Sequence, residues 1–374
     1  MVPSQLRPIP YVNLASQWES EREELLPVVE RVLASGTYIG GTDVDEFEAK
    51  AAELCQAKYC VALNSGTDAL VCGLLALGVG RGDEVITPPN SFVASTASIV
   101  HIGAKPVFVD VLDDQNIDPE KIESAITPRT KAIMPVHLTG RMAKMDEVME
   151  IAERHGIPVI EDAAQSIGAT YKGRMSGSVG KLGCFSTHPL KNLNACGDGG
   201  FVVTSDESVA NLIRRLRNHG LVDRNSVERF GYVSRMDAIQ AAVLNWRIDQ
   251  LPKVIQRRQH LARLYDSILD RKHVFTASRD ANITDTFHTY VIQVDRRDEL
   301  QSHLAADGVS TAIHYPIPIH LQPAAAKLGF RAGDFPVVES QAKRILSLPI
   351  NQFLSDEEVI FIAETVNAYF RETS

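Results

Sequence analysis

The chain has 374 residues, 44% of them hydrophobic and 23% charged, which suits a globular protein of two or three domains or one large α/β domain with an appendage. Its 38 lysines and arginines against 47 aspartates and glutamates leave a net charge of −9, arguing against nucleic acid or an acidic membrane as partner. Five scattered cysteines, Cys55, Cys60, Cys72, Cys184 and Cys196, make no C-x-x-C pair or zinc-spaced cluster, so no metal site is expected and a reducing cytoplasm suits them.

The opening stretch, MVPSQLRPIPYVNLA, lacks the apolar core of a secretory signal. The longest apolar run, ALVCGLLALGV (69–79), is too short to cross a bilayer and reads as a buried helix. From about residue 60, short β-rich runs alternate with helical stretches. The runs are CVALNS, DEVITPP, KPVFVDV, KAIMPVHL, IPVIEDAA, GCFSTH and GFVVTS; the helices fall near 67–78, 91–102, 144–155 and 206–218. This alternation predicts βαβ units and a largely parallel sheet covered on both faces. Ligands of such sheets bind at the carboxyl ends of the strands. After about 235 the pattern becomes one long helix. A smaller C-terminal α/β unit follows, with HTYVIQV and TAIHYPIP as strands and a last helix capped by Ser355 and Glu358. The predicted division is a large domain over 1–250 and a small one over 251–374.

Chemistry concentrates where the strands end. In NSGTDAL (64–70), Gly66 and Thr67 follow a strand and open a helix, where free N–H groups favour a phosphate; taken alone the segment reads more readily as an ordinary helix capped by Ser65 or Thr67. In PPNSFVAS (88–95), Phe92 could stack on a flat ligand, although the segment alone reads more readily as a core aromatic. In IPVIEDAAQSIGA (157–169), Glu161 and Asp162 end an apolar strand. A buried carboxylate there needs a partner, whether metal, arginine or a cationic ligand nitrogen, or Asp162 simply caps a helix. Gln165 stands three residues on, placed for a capping box or a ligand contact. In FSTHPLKNLNACGDGG (185–200), Ser186 and His188 lie at a strand mouth. Lys191 follows in a turn whose glycines permit positive φ and close backbone approach. Desolvation of such a lysine favours the neutral amine, the form that attacks a carbonyl. A phosphate cup, an acid for a ring nitrogen and a carbonyl-binding lysine are together the parts that hold pyridoxal 5′-phosphate.

At these residues the sequence closely resembles the DegT/DnrJ/EryC1/StrS family of sugar aminotransferases. SGTYIGG (35–41), SGTDAL (65–70), GAKPVFVD (103–110), EDAAQS (161–166), FSTHPLKNLNACGDGG and IHYPIPIHLQP (313–323) carry the resemblance over nearly the whole chain. It implies an α/β fold-type-I aminotransferase with a mostly parallel central sheet, pyridoxal 5′-phosphate as cofactor, and a homodimer with sites at the subunit boundary. It implies that Lys191 carries the cofactor's aldehyde, Asp162 pairs with the ring nitrogen and Gln165 meets the ring hydroxyl. Gly66, Thr67 and Ser186 become the phosphate cup and Phe92 the stacking residue, while His188, Tyr315 and His320 border the substrate. Thr139 and Val233 stand where the family often has tyrosine and asparagine; Arg235 or Asn245 is the candidate to contribute instead to the neighbouring subunit's site.

The activity so implied is transfer of the amino group of glutamate to a keto-sugar, expected to be nucleotide-linked, in amino-sugar biosynthesis. The alternatives are an aminotransferase acting on a keto-cyclitol, a sugar dehydratase, and a non-catalytic regulatory homologue. The dehydratases of the family replace the lysine by histidine, so Lys191 favours transamination.

Overall fold

The computed structural model describes residues 8–373; the first half of the opening stretch lies outside them. Two helices outside the expected elements precede the alternation, α1 (Leu14–Ser35) and α2 (Thr42–Leu54). The side chain of Asn13 accepts the Ser16 N–H at the start of α1, and Gly36 ends it in the left-handed region. Then come β1 (Tyr59–Leu63), α3 (Gly66–Ala76), β2 (Glu84–Thr87), α4 (Ala94–His101), β3 (Lys105–Phe108), α5 (Pro119–Ala125), β4 (Thr130–Ile133), α6 (Met145–His155) and β5 (Ile160–Asp162). Two short strands, β6 (Thr170–Tyr171) and β7 (Arg174–Met175), lead to β8 (Leu182–Ser186), β9 (Gly200–Thr204) and α7 (Glu207–Leu216).

The strands pair in the order β3-β2-β4 and β5-β8-β9-β1. Parallel bridges Ile133–Val159 and Val136–Asp162 join the two sets into one sheet. β9 alone runs against the rest, pairing antiparallel with both β1 and β8. The other strands therefore end on the same edge, as a largely parallel sheet requires. Alternation along each strand divides the core in two. Val61 and Leu63 of β1, with Leu182 and Cys184 of β8, face α3 and α7. Cys60, Ala62, Phe185 and Phe201 face the opposite layer, where Phe185 and Phe201 stack at 4.7 Å.

The long helix α8 (Ala238–Ile268) passes unbroken through position 250. Leu244, Ile248 and Leu251 belong to the sheet's core, whereas Leu261, Tyr265 and Leu269 belong to another. That second core gathers β11 (Tyr290–Gln293), α9 (Arg297–Ala306), β12 (Ile345–Leu348) and α11 (Asp356–Thr373), after a short β10 (Ile283–Thr284) that pairs with β6; α10 (Pro336–Arg344) leads into β12. It also takes in Ile9, whose N–H donates to the Gly308 carbonyl at 2.9 Å. Ser355 and Glu358 form the expected capping box, with bonds of 3.1 and 2.8 Å. The strand expected in TAIHYPIP does not form. Ala312 makes one bridge to Ser347, and Pro316 and Pro318 then withhold the N–H groups a ladder needs. The helix expected over 91–102 begins only at Ala94, leaving 88–93 as a loop above the sheet edge.

Candidate active site

Beyond β8 the chain turns through residues 187–199 before returning as β9. Three backbone bonds shape the turn: Lys191 N–H to His188 O, Ala195 N–H to Thr187 O, and Thr187 N–H to Gly199 O, at 2.8, 2.7 and 2.9 Å. Buried amide side chains then pin it. Asn194 and Gln17 exchange two bonds of 3.0 Å, Asn194 also donates to Pro189 O, and Asn192 donates to Thr286 O. Arg247 donates to Asn194 O at 2.8 Å and is itself paired with Glu21 at 2.6 Å. Motif reasoning does not single out these supporting residues; two asparagines in the three positions after the lysine, alternating with a leucine, are their only sign in the sequence. The glycines after the turn act by space, not by positive φ: a Cβ on Gly199 would lie 2.3 Å from Thr187 Oγ1, and one on Gly200 would lie 2.4 Å from the Ser65 carbonyl carbon. Held this way, the Lys191 ammonium is desolvated. Its pKa falls to about 8, with Asp162 opposing the fall.

The adjacent acids at the end of β5 separate, because consecutive strand residues point to opposite faces. Glu161 is wholly buried and fully bonded. Its oxygens accept the N–H groups of Gly177, Val179 and Gly180 at 2.9, 2.8 and 2.6 Å, and His137 Nε2 lies 2.8 Å away. Since His137 Nδ1 accepts from Ala143 N–H, the imidazole is neutral and donates from Nε2. Glu161 therefore has no capacity left for a ligand. Asp162, also buried, accepts among the described residues only Ser95 Oγ–H at 2.6 Å and Ala164 N–H at 3.2 Å. Ser91 Oγ stands 2.5 Å from Ser95 Oγ and must be the donor there, because the single Ser95 proton is committed to Asp162. Burial raises the Asp162 pKa, while Ser95, the Ala164 N–H and Lys191 hold it down.

Gly66 and Thr67 open α3 behind the N-cap Ser65, so their N–H groups precede the first intrahelical acceptor. Gly66 is required by proximity, since a Cβ would come 2.6 Å from that of Ser186. Gln165 accepts from Thr139 N–H at 2.9 Å and donates to the Tyr315 hydroxyl at 3.4 Å. Thr139, in the left-handed region at φ 64°, thus serves through its backbone. Phe92 is exposed, its ring 6.2 Å from that of Tyr315, and not the core aromatic that its segment suggested. His188 is exposed at the strand mouth. His320 is not: its side chain is wholly buried, 3.0 Å from Glu339 and 4.8 Å from the Phe335 ring, so it faces no substrate within this chain. Asn245 is likewise buried and donates to Asp43 O, whereas Val233 is exposed and Arg235 is partly so.

These residues fit pyridoxal 5′-phosphate by the chemistry of the donor set. A helix N-terminus with a neighbouring hydroxyl suits the phosphate, a buried carboxylate with unused acceptor capacity suits a cationic ring nitrogen, and a desolvated lysine suits the aldehyde.

The model of the DegT/DnrJ/EryC1/StrS aminotransferase family matches residues 19–367. The chain is 42% identical over 363 residues to the dTDP-3-amino-3,4,6-trideoxy-alpha-D-glucose transaminase of Streptomyces venezuelae, covering 96% of each. It is 40% identical over 367 residues to a pleiotropic regulatory protein of Geobacillus stearothermophilus, covering 97% of this chain and 99% of that one. The solved structure of S. venezuelae DesV in complex with a ketimine intermediate superposes with a TM-score of 0.95 at 41% identity, covering 97% of this chain and 99% of the other.

Proposed function

The chain belongs to the DegT/DnrJ/EryC1/StrS aminotransferase family, whose cofactor is pyridoxal 5′-phosphate, and we propose that it moves the amino group of glutamate to a nucleotide-linked keto-sugar. The observation that carries this reading is the placement of Lys191. Its amine is desolvated at the sheet edge and shares a site with a buried, under-bonded Asp162. A regulatory homologue would not require a lysine tuned toward neutrality beside such a carboxylate, whatever the name of the G. stearothermophilus relative.

The bound cofactor supplies an electron sink for the bonds at the donor's Cα. Asp162 holds the ring nitrogen's proton by staying ionised. The N–H groups of Gly66 and Thr67, with the Ser186 hydroxyl, would hold the phosphate. Gln165, its carbonyl fixed on Thr139 N–H, would offer its Nε2–H to the cofactor, and Phe92 would supply an apolar contact to it. Lys191 Nζ takes the proton from the donor's Cα and returns a proton on the other side of the transfer, work that an amine with a pKa near neutrality performs well. Tyr315, beside Gln165 and Phe92, and His188 at the mouth border the sugar.

The remaining parts of the reading are proposed on the same footing. A homodimer with shared sites is supported by the exposed apolar residues of the 222–233 segment, where Phe230 is 98% and Val233 55% exposed. The division into domains at about 250 is supported by the two cores that α8 joins. A cytoplasmic location is supported by five free cysteines. Adding glutamate to the cofactor-loaded protein should release one equivalent of 2-oxoglutarate per site, and a panel of nucleotide-linked 3- and 4-keto-sugars should then accept the amine. Release of ammonia together with loss of a sugar hydroxyl would instead show a dehydratase, and amination of a keto-cyclitol but of no sugar would redirect the acceptor.

A further inference from the structure

Four arginines are buried among the described residues. Three have carboxylate partners: Arg141 with Asp285 at 2.8 Å, Arg247 with Glu21 at 2.6 Å, and Arg297 with Asp298 at 2.5 Å. Arg258 has none. Its Nη1 donates to the carbonyls of Phe287, His288 and Ile350 at 3.0, 3.3 and 2.7 Å, its Nη2 lies 3.5 Å from Gln352 Oε1, and its Nε finds no partner. Burial pulls its pKa down to about 10, and no carboxylate among the described residues offsets the fall. A buried guanidinium is costly unless an anion compensates it.

The surroundings indicate where the anion comes from. Arg258 lines a cavity that reaches Lys191 and is also walled by Tyr11, His288, His314 and Asn351. Among the described residues that line it there is no aspartate or glutamate. His288 and His314 are held neutral there, by burial first and then by the charge of Lys191. Residues of the same wall carry further buried polar atoms with no partner: His288 Nδ1, Thr289 Oγ1 and Asn351 Nδ2. The wall thus has a permanent cation and spare donors, with no acid to use them. A phosphate has its own place at the start of α3, so the anion suited to this wall is the smaller, planar carboxylate.

We propose that Arg258 is the counter-ion for a carboxylate of the amino-acid donor, which occupies the cavity between it and Lys191 with Thr289 and Asn351 as supporting donors. This inference rests on the aminotransferase reading and adds to it the wall that selects an amino acid over a simple amine. The group is aligned for both halves of the cycle, since the keto acid leaving after the first half keeps the same carboxylate.

The test uses the cofactor-loaded protein and glutarate, a dicarboxylate with no amine to transfer. Calorimetric titration should show glutarate binding to the wild type and weakening about tenfold or more in Arg258→Gln, with Arg258→Lys in between. The KM for glutamate should rise by a similar factor in Arg258→Gln, while that for the keto-sugar stays within about twofold, a split that general loosening of the fold would not produce. Should Arg258→Gln fail to fold, Thr289→Val leaves all three carbonyl contacts of Arg258 in place and should still weaken glutarate by about threefold. Absence of glutarate binding in the wild type, unchanged affinity in the variants, or equal rises in both KM values would overturn the proposal. Failure of the wild type to use glutamate would overturn the donor reading instead, and the glutarate titration would still decide the carboxylate site.

Discussion

The carboxyl edge of the sheet and the irregular segment over 311–323 reach the same site by different means. At the sheet edge, strand alternation assigns each side chain to a face, so Glu161 goes to one layer and Asp162 to the other. In the irregular segment no period operates. Tyr315 meets Gln165 and Phe92, yet His320, five residues later in the same motif, is buried against Phe335 and Glu339. Regular structure therefore gives neighbouring residues predictable and opposite duties, whereas a proline-rich loop distributes them by packing that the sequence does not display.

The largest effect is expected at the sheet edge. Lys191→Ala should lower turnover by at least about 10³-fold, because it removes the proposed attachment point and proton carrier, while the fold and weak cofactor binding persist. Turnover within tenfold of wild type would remove Lys191 from its role. The paired acids offer the next contrast. Asp162→Asn should slow the glutamate half-reaction by about 10²-fold or more with little loss of stability. Glu161→Gln should leave the cofactor's spectrum intact but lower stability by about 2–4 kcal/mol, since three backbone N–H groups and His137 lose their carboxylate. The opposite assignment would appear as the reverse pattern in a half-reaction assay and a melting curve.

Ser95 comes third. Removing its hydroxyl in Ser95→Ala takes away a bond that keeps the buried Asp162 ionised, so the Asp162 pKa should rise further. With ¹⁵N-labelled cofactor bound, the ring nitrogen should shift toward the unprotonated range, the half-reaction should slow about tenfold, and Ser95→Thr should restore both. An unmoved ¹⁵N signal would show that Ser95 only packs. The smallest contrast lies in the irregular segment: Tyr315→Phe should raise the KM for the keto-sugar a few-fold, whereas His320→Phe should cost about 1–2 kcal/mol of stability and leave that KM unchanged.

Much of this was legible in the sequence. The seven strand runs, α3, α4, α6 and α7, and the capping box at Ser355 follow from periodicity and capping chemistry, whereas α5 did not stand out; the rule that parallel sheets bind at their carboxyl edge directs attention to the candidate residues after the strands. Other parts were not. β9 runs antiparallel although its composition matches that of its parallel neighbours, because direction is set by a turn and not by side chains. The bonds from Gln17, Asn194 and Arg247 that hold the Lys191 turn join residues up to 177 positions apart. The glycines of GDGG suggested unusual φ values, but what they provide is room for Thr187 and Ser65.

The most direct measurement is borohydride reduction of the cofactor-loaded protein, followed by digestion and peptide mass mapping. A desolvated amine beside Asp162 should place the pyridoxyl mass on the peptide containing Lys191, in one copy per chain. Because the Lys191 pKa is about 8, loading of the cofactor-free protein should also accelerate as pH rises through that value, where the neutral amine becomes the major form. A pyridoxyl group on another lysine, or none after saturation with pyridoxal 5′-phosphate, would contradict the site described here.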